Sequence, residues 1–80
     1  HESRVTTRVR PEEGEFSVEI ARSEPFSVFA LEPGKVWISG SKWEMKGEFL
    51  ALSTRGLHNE GEGRMVSVRG EGVLVVISRR

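Results

Sequence analysis

Two hydrophobic patterns, separated by a turn with a glycine on each side, occupy residues 64–78. In the first pattern Val66 and Val68 alternate with residues of the opposite face, and this period of two is typical of a half-buried strand. The second pattern, Val73–Ile77, is apolar throughout and rich in β-branched residues, as in strands that are covered on both faces. An 80-residue chain has little material to cover both faces, so a second layer of the chain or a second subunit is implied. We therefore predict self-association through the last strand, with the interface residues Val73, Val75 and Ile77.

Shorter strand patterns, separated by turn residues, cover most of the remaining chain. Further strands are predicted over residues 4–10, 16–20, 26–31, 36–40 and 48–53. The glycine-rich segment 54–63 is predicted to be a loop. Residues 31–35, Leu-Glu-Pro-Gly-Lys, have the signal of a type II turn, in which Pro33 presets φ and Gly34 takes a positive φ.

Residues 41–47 leave two interpretations open. Ser41 and Glu44 have the spacing of a capping box, and Gly47 is suited to a helix C-cap, so this segment is compatible with one helical turn. The alternative is an extended segment that continues the strand pattern.

These elements add up to seven or eight short strands without a sustained period of 3.6. They predict an all-β fold, a compact double-stranded β-helix or β-sandwich, in a single domain spanning residues 1–80. A domain of 80 residues buries little surface, and without cysteine neither disulfides nor thiolate metal sites can stabilise it. We therefore expect the domain to form homo-oligomers.

The charge is balanced, with 12 Lys and Arg residues against 12 acidic residues. This balance argues against a partner held by bulk positive potential, although it allows a local basic stripe. All the acidic residues are Glu and most of the cations are Arg, a composition shared by heat-adapted proteins and by the products of GC-rich genomes. The chain has no apolar run of about 18 residues and no apolar core of a signal peptide near residue 1, which predicts a cytoplasmic protein and no membrane partner.

The polar residues show no pattern of a catalytic or metal site. His58 is the one internal histidine, and a zinc site needs three or four ligands of the Cys, His or carboxylate type. A solvated histidine in a loop explains it better. Ser53, Thr54 and His58 are near one another in the sequence, but no strand-turn-helix elbow presents any of them as a nucleophile or base. We predict a protein that is not an enzyme and uses no metal or cofactor.

Trp37 and Trp43 lie on either side of Gly40. One interpretation makes them core or interface aromatics, because tryptophan buries a large area in both settings. The other makes them stacking platforms for unpaired bases. The second interpretation gains support from nearby cations, and the predicted RNA-binding set is Trp37, Lys42, Trp43, Lys46 and Arg69.

Three blocks of the sequence resemble the trp RNA-binding attenuation protein family. The first, residues 16–34, is similar to that family's opening pair of strands and glycine turn. The second is Lys46-Gly47-Glu48 and the third is Val68-Arg69-Gly70-Glu71, each followed by an apolar strand. Together they cover residues 16–77. The Leu-x-Pro-Gly turn at residues 31–34 and the Gly-x-Gly strand from Gly70 are at least as similar to an uncharacterised bacterial and mitochondrial branch of the same short double-stranded β-helices.

This resemblance implies a ring of identical subunits that wraps single-stranded RNA around its rim and binds tryptophan between subunits. Of the family's basic RNA-binding positions only Arg69 matches; the other two fall near Trp43 or Lys42 and on Ser67. The family's threonine-rich tryptophan loop is replaced here by residues 32–35. An inter-subunit pocket would lie near Gly34 and His58.

A second resemblance lies in the stretch from Val68 to Val73, which is similar to the second signature of Sm-like RNA-binding rings. The first signature of those proteins requires an Asp, and this chain has none.

The leading functional prediction is a non-enzymatic, homo-oligomeric binding or scaffold module whose ligand the sequence does not identify. One alternative is a regulatory ring that binds single-stranded RNA. The other is a regulator that senses a small metabolite in pockets between subunits.

Overall fold

The computed structural model describes residues 4–51 and 57–79. Within these residues the chain forms eight strands and one 3-10 turn, Pro11–Glu13. The strands are β1 (Arg4–Val9), β2 (Phe16–Ile20), β3 (Pro25–Ala30), β4 (Gly34–Ser39), β5 (Met45–Leu50), β6 (Leu57–Glu60), β7 (Arg64–Gly70) and β8 (Leu74–Arg79). None of the described residues forms a helix that is long and apolar enough to span a membrane.

The strands form two four-stranded antiparallel sheets, which we call the first sheet (β1-β8-β3-β6) and the second sheet (β2-β7-β4-β5). The pairs β1–β8, β2–β7, β3–β6 and β4–β5 show the underlying plan. The chain is one long two-stranded ribbon that turns at the β4–β5 hairpin and winds so that successive segments join alternate sheets. This is a double-stranded β-helix, and it confirms the predicted fold class.

The core lies between the sheets and is built by the period of two in each strand. In β7, Val66 and Val68 are completely buried while Arg69 is exposed, as the alternation predicts. The last strand behaves the same way, since Leu74 and Val76 point inward and are buried. The core side chains are Val9, Ile20, Phe26, Val28, Ala30, Val36, Ile38, Val66, Val68, Leu74 and Val76.

The predicted type II turn is wrong at Gly34. This residue begins β4, is buried, and is not among the residues with positive φ. Space is limited there instead, because a Cβ would lie 3.2 Å from Cβ of Glu71, which would have to shift by a few tenths of an ångström. Tight packing against the β7–β8 turn, a contact distant in sequence, therefore explains this glycine.

The extended interpretation of residues 41–47 is confirmed. Strand β5 begins at Met45, and Glu44 accepts a hydrogen bond from the Gly40 nitrogen (3.0 Å) instead of closing a capping box. Gly47 is not a helix cap. Its φ is 78° and it lies where the register of the β4–β5 pair shifts, which makes it a β-bulge.

The predicted loop over residues 54–63 contains a strand, β6, so this prediction is wrong for Leu57–Glu60. The strand is short and polar, and its alternation shows only Leu57 and Asn59 on the inner side. It forms because its backbone pairs with β3. The end of the strand predicted over 48–53 and the start of this loop, residues 52–56, lie outside the described residues.

Candidate functional site

One row of side chains crosses the outer face of the second sheet and joins three of the predicted RNA-binding residues. The register pairs Trp37 of β4 with Lys46 of β5 on one side and with Arg69 of β7 on the other. The guanidinium carbon of Arg69 lies over the indole, 3.9 Å from the ring centroid. This distance is that of a cation–π contact. The structure therefore brings Trp37, Lys46 and Arg69 together.

The bulge at Gly47 makes room for the Trp37 ring. A Cβ at Gly47 would lie 3.1 Å from Nε1 of the indole and 3.2 Å from two neighbouring ring carbons. Such a contact is too tight for most side chains, and the positive φ disfavours them as well. Glycine at this position therefore lets the half-buried indole lie against β5, with Arg69 over the ring.

The neighbouring row of the same face pairs Lys35 with Phe49, a phenylalanine whose side chain is 67% exposed. The backbone nitrogen of Lys35 donates to the Glu71 carboxylate (2.9 Å), so that carboxylate is tied to the main chain. In the described part of the chain, no ion pair involves the side chain of Lys35, Lys46 or Arg69. We call this surface the Trp37 face; it consists of Lys35, Trp37, Lys46, Phe49 and Arg69.

The other two predicted RNA-binding residues, Lys42 and Trp43, lie apart from the Trp37 face. Both belong to the connection between β4 and β5, which is hydrogen-bonded to β6 of the first sheet. Trp43 is 52% exposed, and the Lys42 ammonium lies 4.8 Å from the centroid of its ring. The same ammonium pairs with the Glu60 carboxylate at 3.7 Å. The structure thus divides the predicted set between two surfaces.

Asn59 holds Trp43 in place, and the sequence analysis missed it. Its side chain is buried; Oδ1 accepts from the nitrogens of Trp43 (3.1 Å) and Glu60 (2.9 Å), and Nδ2 donates to the Trp43 carbonyl (2.7 Å). The Ser41 hydroxyl donates to the same carbonyl at 3.0 Å. Asn59 therefore positions an exposed aromatic ring. The feature of the sequence that could have drawn attention to this residue is that Asn59 is the only Asn.

The outer face of the first sheet is apolar along its middle strands. Val75 lies between Arg8 of β1 and Phe29 of β3, and Ile77 of the same strand lies one row further along. Val75, Ile77 and Phe29 are all partly exposed, as is Val73 just before the strand. Within one chain the inner face of β8 is therefore buried, whereas the outer side chains, which include the predicted interface residues, stay partly exposed. Oligomer formation stays a prediction.

A surface hollow of about 170 Å³ lies at one end of this face, beside His58 and Ile77. The Ser27 hydroxyl and Nδ1 of His58 are 3.4 Å apart across it. His58 is an exposed residue of β6 and not of a loop, whereas Gly34 belongs to β4 in the other sheet. One chain does not bring these two residues together, so the pocket between subunits stays a prediction. Among the described residues, no group of three or more His, Cys, Asp or Glu side chains is arranged to hold a metal ion.

Comparison with known proteins identifies the fold without identifying a family. No family model and no curated protein matches the chain. Solved structures do. The thiamin pyrophosphokinase of Geobacillus thermodenitrificans superposes with a TM-score of 0.80 and 20% identity over 96% of this chain. The thiamine pyrophosphokinase of Bacillus subtilis gives a TM-score of 0.78 and 20% identity over 95% of the chain.

The matches differ strongly in the share of the known protein that this chain covers. The chain spans only 37% of each of the two pyrophosphokinases. A de novo designed double-stranded β-helix matches over 98% of this chain and 99% of its own length, with a TM-score of 0.63 and 14% identity. Identities this low show the fold alone. The chain has the double-stranded β-helix fold, and it is similar to one part of two thiamine pyrophosphokinases.

Proposed function

We propose that the chain acts as a non-catalytic binding module in a larger protein of thiamine pyrophosphokinase type. The observation that carries this proposal is the asymmetry of the match. At least 95% of this chain corresponds to 37% of each pyrophosphokinase. A self-contained β domain that recurs as a minor part of a larger chain is suited to holding a ligand or another domain. The chemistry would then depend on residues elsewhere in the larger protein.

The ligand-binding surface that we propose for this module is centred on Trp43. Its ring is exposed, and its main-chain nitrogen and oxygen are both bonded to the buried Asn59 side chain. A main chain that is already fixed at the base of the ring reduces the entropy lost when a ligand stacks there. Thiamine is an aromatic cation, and tryptophan is the side chain that binds cations best through its ring face.

The surroundings of Trp43 already hold one cation in the required position. The Lys42 ammonium lies over the ring and pairs with Glu60. The Lys42 side chain is exposed and that of Glu60 is partly exposed, so this pair contributes little to stability, and a ligand cation displaces it at low cost. In the proposed complex the thiamine cation replaces the ammonium over the ring, and the Glu60 carboxylate becomes its counter-charge.

Titration of the chain with thiamine, followed by tryptophan fluorescence, tests this proposal. We expect saturable quenching in the wild-type chain and in Trp37→Phe, and its loss in Trp43→Leu. We also expect the chain alone to form no thiamine pyrophosphate from thiamine and ATP. Quenching that persists in Trp43→Leu would contradict the assigned surface. If binding does not saturate up to about 10 mM thiamine, its free energy is weaker than about −3 kcal/mol, and this result would contradict the proposed binding module.

The outer face of the first sheet supports a second candidate function, self-assembly into a scaffold. Phe29, Val75 and Ile77 form a continuous partly exposed apolar surface on a rigid sheet. Contiguous apolar patches of this kind mark protein–protein contacts. The test is the mass in solution by light scattering, which is near 9.0 kDa for a monomer and a multiple of it for a scaffold.

A further inference from the structure

The Trp37 face lies on the opposite outer surface from the apolar one and has features that a thiamine-binding module does not use. Three cations without ion pairs in the described part of the chain share it with two aromatic rings. Phe49 is the most exposed large apolar side chain of the described residues. An exposed ring beside cations without ion pairs offers the two kinds of group that a flat, anionic partner would contact.

The sheet fixes the spacing of these groups. Trp37 and Lys46 are paired across adjacent strands, about 5 Å apart. The row of Lys35 and Phe49 follows two residues further along β4, about 7 Å away. Two flat stacking surfaces, each beside a lysine, therefore lie one row apart on the same face. Sheets that bind single-stranded nucleic acid use the same arrangement, in which exposed aromatic rings hold two or three bases.

We propose that the Trp37 face binds a short stretch of single-stranded nucleic acid. One base stacks on Phe49, and the next stacks on the Arg69 guanidinium, which is exposed and supported from below by the Trp37 ring. The ammonium groups of Lys35 and Lys46 neutralise the adjoining phosphates. The face holds two or three nucleotides, because Glu19 and Met65 occupy the β2–β7 side of the sheet.

An acidic protein segment is a poorer match for this surface. The chain has no net charge, so long-range attraction of a polyanion is weak and the local contacts must provide the affinity. An acidic peptide uses the three cations and leaves Phe49 and the stacked Arg69–Trp37 pair without a partner. Bases use all five side chains of the face. The separation from Trp43 makes this inference independent of the proposed thiamine surface.

Fluorescence anisotropy with labelled twelve-residue oligo-U and oligo-dT tests the proposal on the 80-residue chain. At 50 mM salt we expect saturable binding of at least one of them, with a slope of log K against log salt of about −1.4 for two phosphate contacts. Arg69→Ala and Phe49→Ala should each lower the affinity about fivefold or more, because each removes one stacking surface. Lys35→Ala and Lys46→Ala should each reduce the slope by about 0.7.

Two variants provide matched controls. Arg8→Ala removes the same charge from the exposed outer face of the first sheet, and Leu31→Ala removes an apolar side chain that is 47% exposed in the β3–β4 connection. Both should retain the wild-type affinity. Binding of the U oligomer in preference to dT would support the proposal and indicate contacts to the 2′-hydroxyl; equal binding would support it through contacts common to both polymers.

Three results would overturn the proposal. The first is no binding of either oligomer at 50 mM salt. The second is an equal loss of affinity in Arg8→Ala and Arg69→Ala, which would show non-specific charge attraction. The third is displacement of the oligomer by polyglutamate of equal charge as efficiently as by unlabelled oligomer, which would indicate an acidic protein partner. Trp43→Leu should bind nucleic acid normally, so a failure of the thiamine proposal leaves this test unaffected.

Discussion

The outer faces of the two sheets rest on one shared core and carry opposite chemistry. On the first sheet the middle strands expose branched aliphatic side chains, with Val75 and Ile77 as the main members. On the second sheet the equivalent positions hold the cations and flat rings of the Trp37 face. The inward positions of both sheets are mostly apolar, with Asn59 of β6 as a buried polar exception. The inward side chains therefore stabilise this fold. The outward side chains, which alternate with them, make one sheet suited to self-association and the other suited to binding a ligand.

The strongest test of this comparison uses two neighbouring residues of β8. Val76→Glu places an unpaired charge in the core, where the wild-type side chain is 1% exposed. Its cost of several kcal/mol is comparable to the whole stability of a small domain, so we expect an unfolded chain by circular dichroism. Val75→Glu places the same group on the outer face and should leave the chain folded but monomeric by light scattering. A folded Val75→Glu chain with an unchanged oligomeric mass would remove the first sheet as an interface.

A smaller effect is expected at Asn59, which joins β6 of the first sheet to the β4–β5 connection of the second. Asn59→Ala removes three hydrogen bonds and leaves backbone groups of Trp43 and Glu60 without these partners. We expect a loss of about 2–3 kcal/mol in the free energy of unfolding, measured with urea. Ser41→Ala, which removes one bond to the same carbonyl, should cost about 1 kcal/mol. Equal costs for the two variants would contradict the assigned role of Asn59.

The smallest effect concerns the bulge below Trp37. Gly47→Ala forces a side chain into a backbone with φ of 78° and should cost about 1–2 kcal/mol from the dihedral alone. Gly63 is the control, because its φ is 78° and a Cβ there would make only ordinary contacts, 3.8 Å from Arg22. Gly47→Ala should therefore be the more destabilising of the two and should displace the indole, visible as a shifted tryptophan emission. Equal costs and unchanged emission would show that Trp37 does not depend on the bulge.

Most strand positions and both faces of each strand could be predicted from the sequence, because the period of two is a local property. Val66 and Val68 were assigned inward and Arg69 outward, and the structure agrees. Strand β6 could not be predicted in the same way. Its residues have weak strand preference, and they are ordered by pairing with β3, more than 30 residues away for Ser27 and His58.

The site was predicted in part for a related reason. Its residue types were found, and Trp37, Lys46 and Arg69 do meet, but Lys42 and Trp43 lie elsewhere. Proximity in sequence suggested one surface for both tryptophans. The β4–β5 connection separates them, because Asn59 binds the main chain of Trp43 to the first sheet. Ring assembly and a cytoplasmic location stay predictions.

Local patterning in this chain specifies an all-β fold, the inward and outward faces of its strands, and the turns that separate most of them. Long-range pairing specifies the rest: the winding of one ribbon into two sheets, the close approaches at Gly34 and Gly47, and the meeting of Trp37 with Arg69. The physical reason is that alternation is set by the backbone of each strand, whereas register depends on the combined packing of strands far apart in the chain.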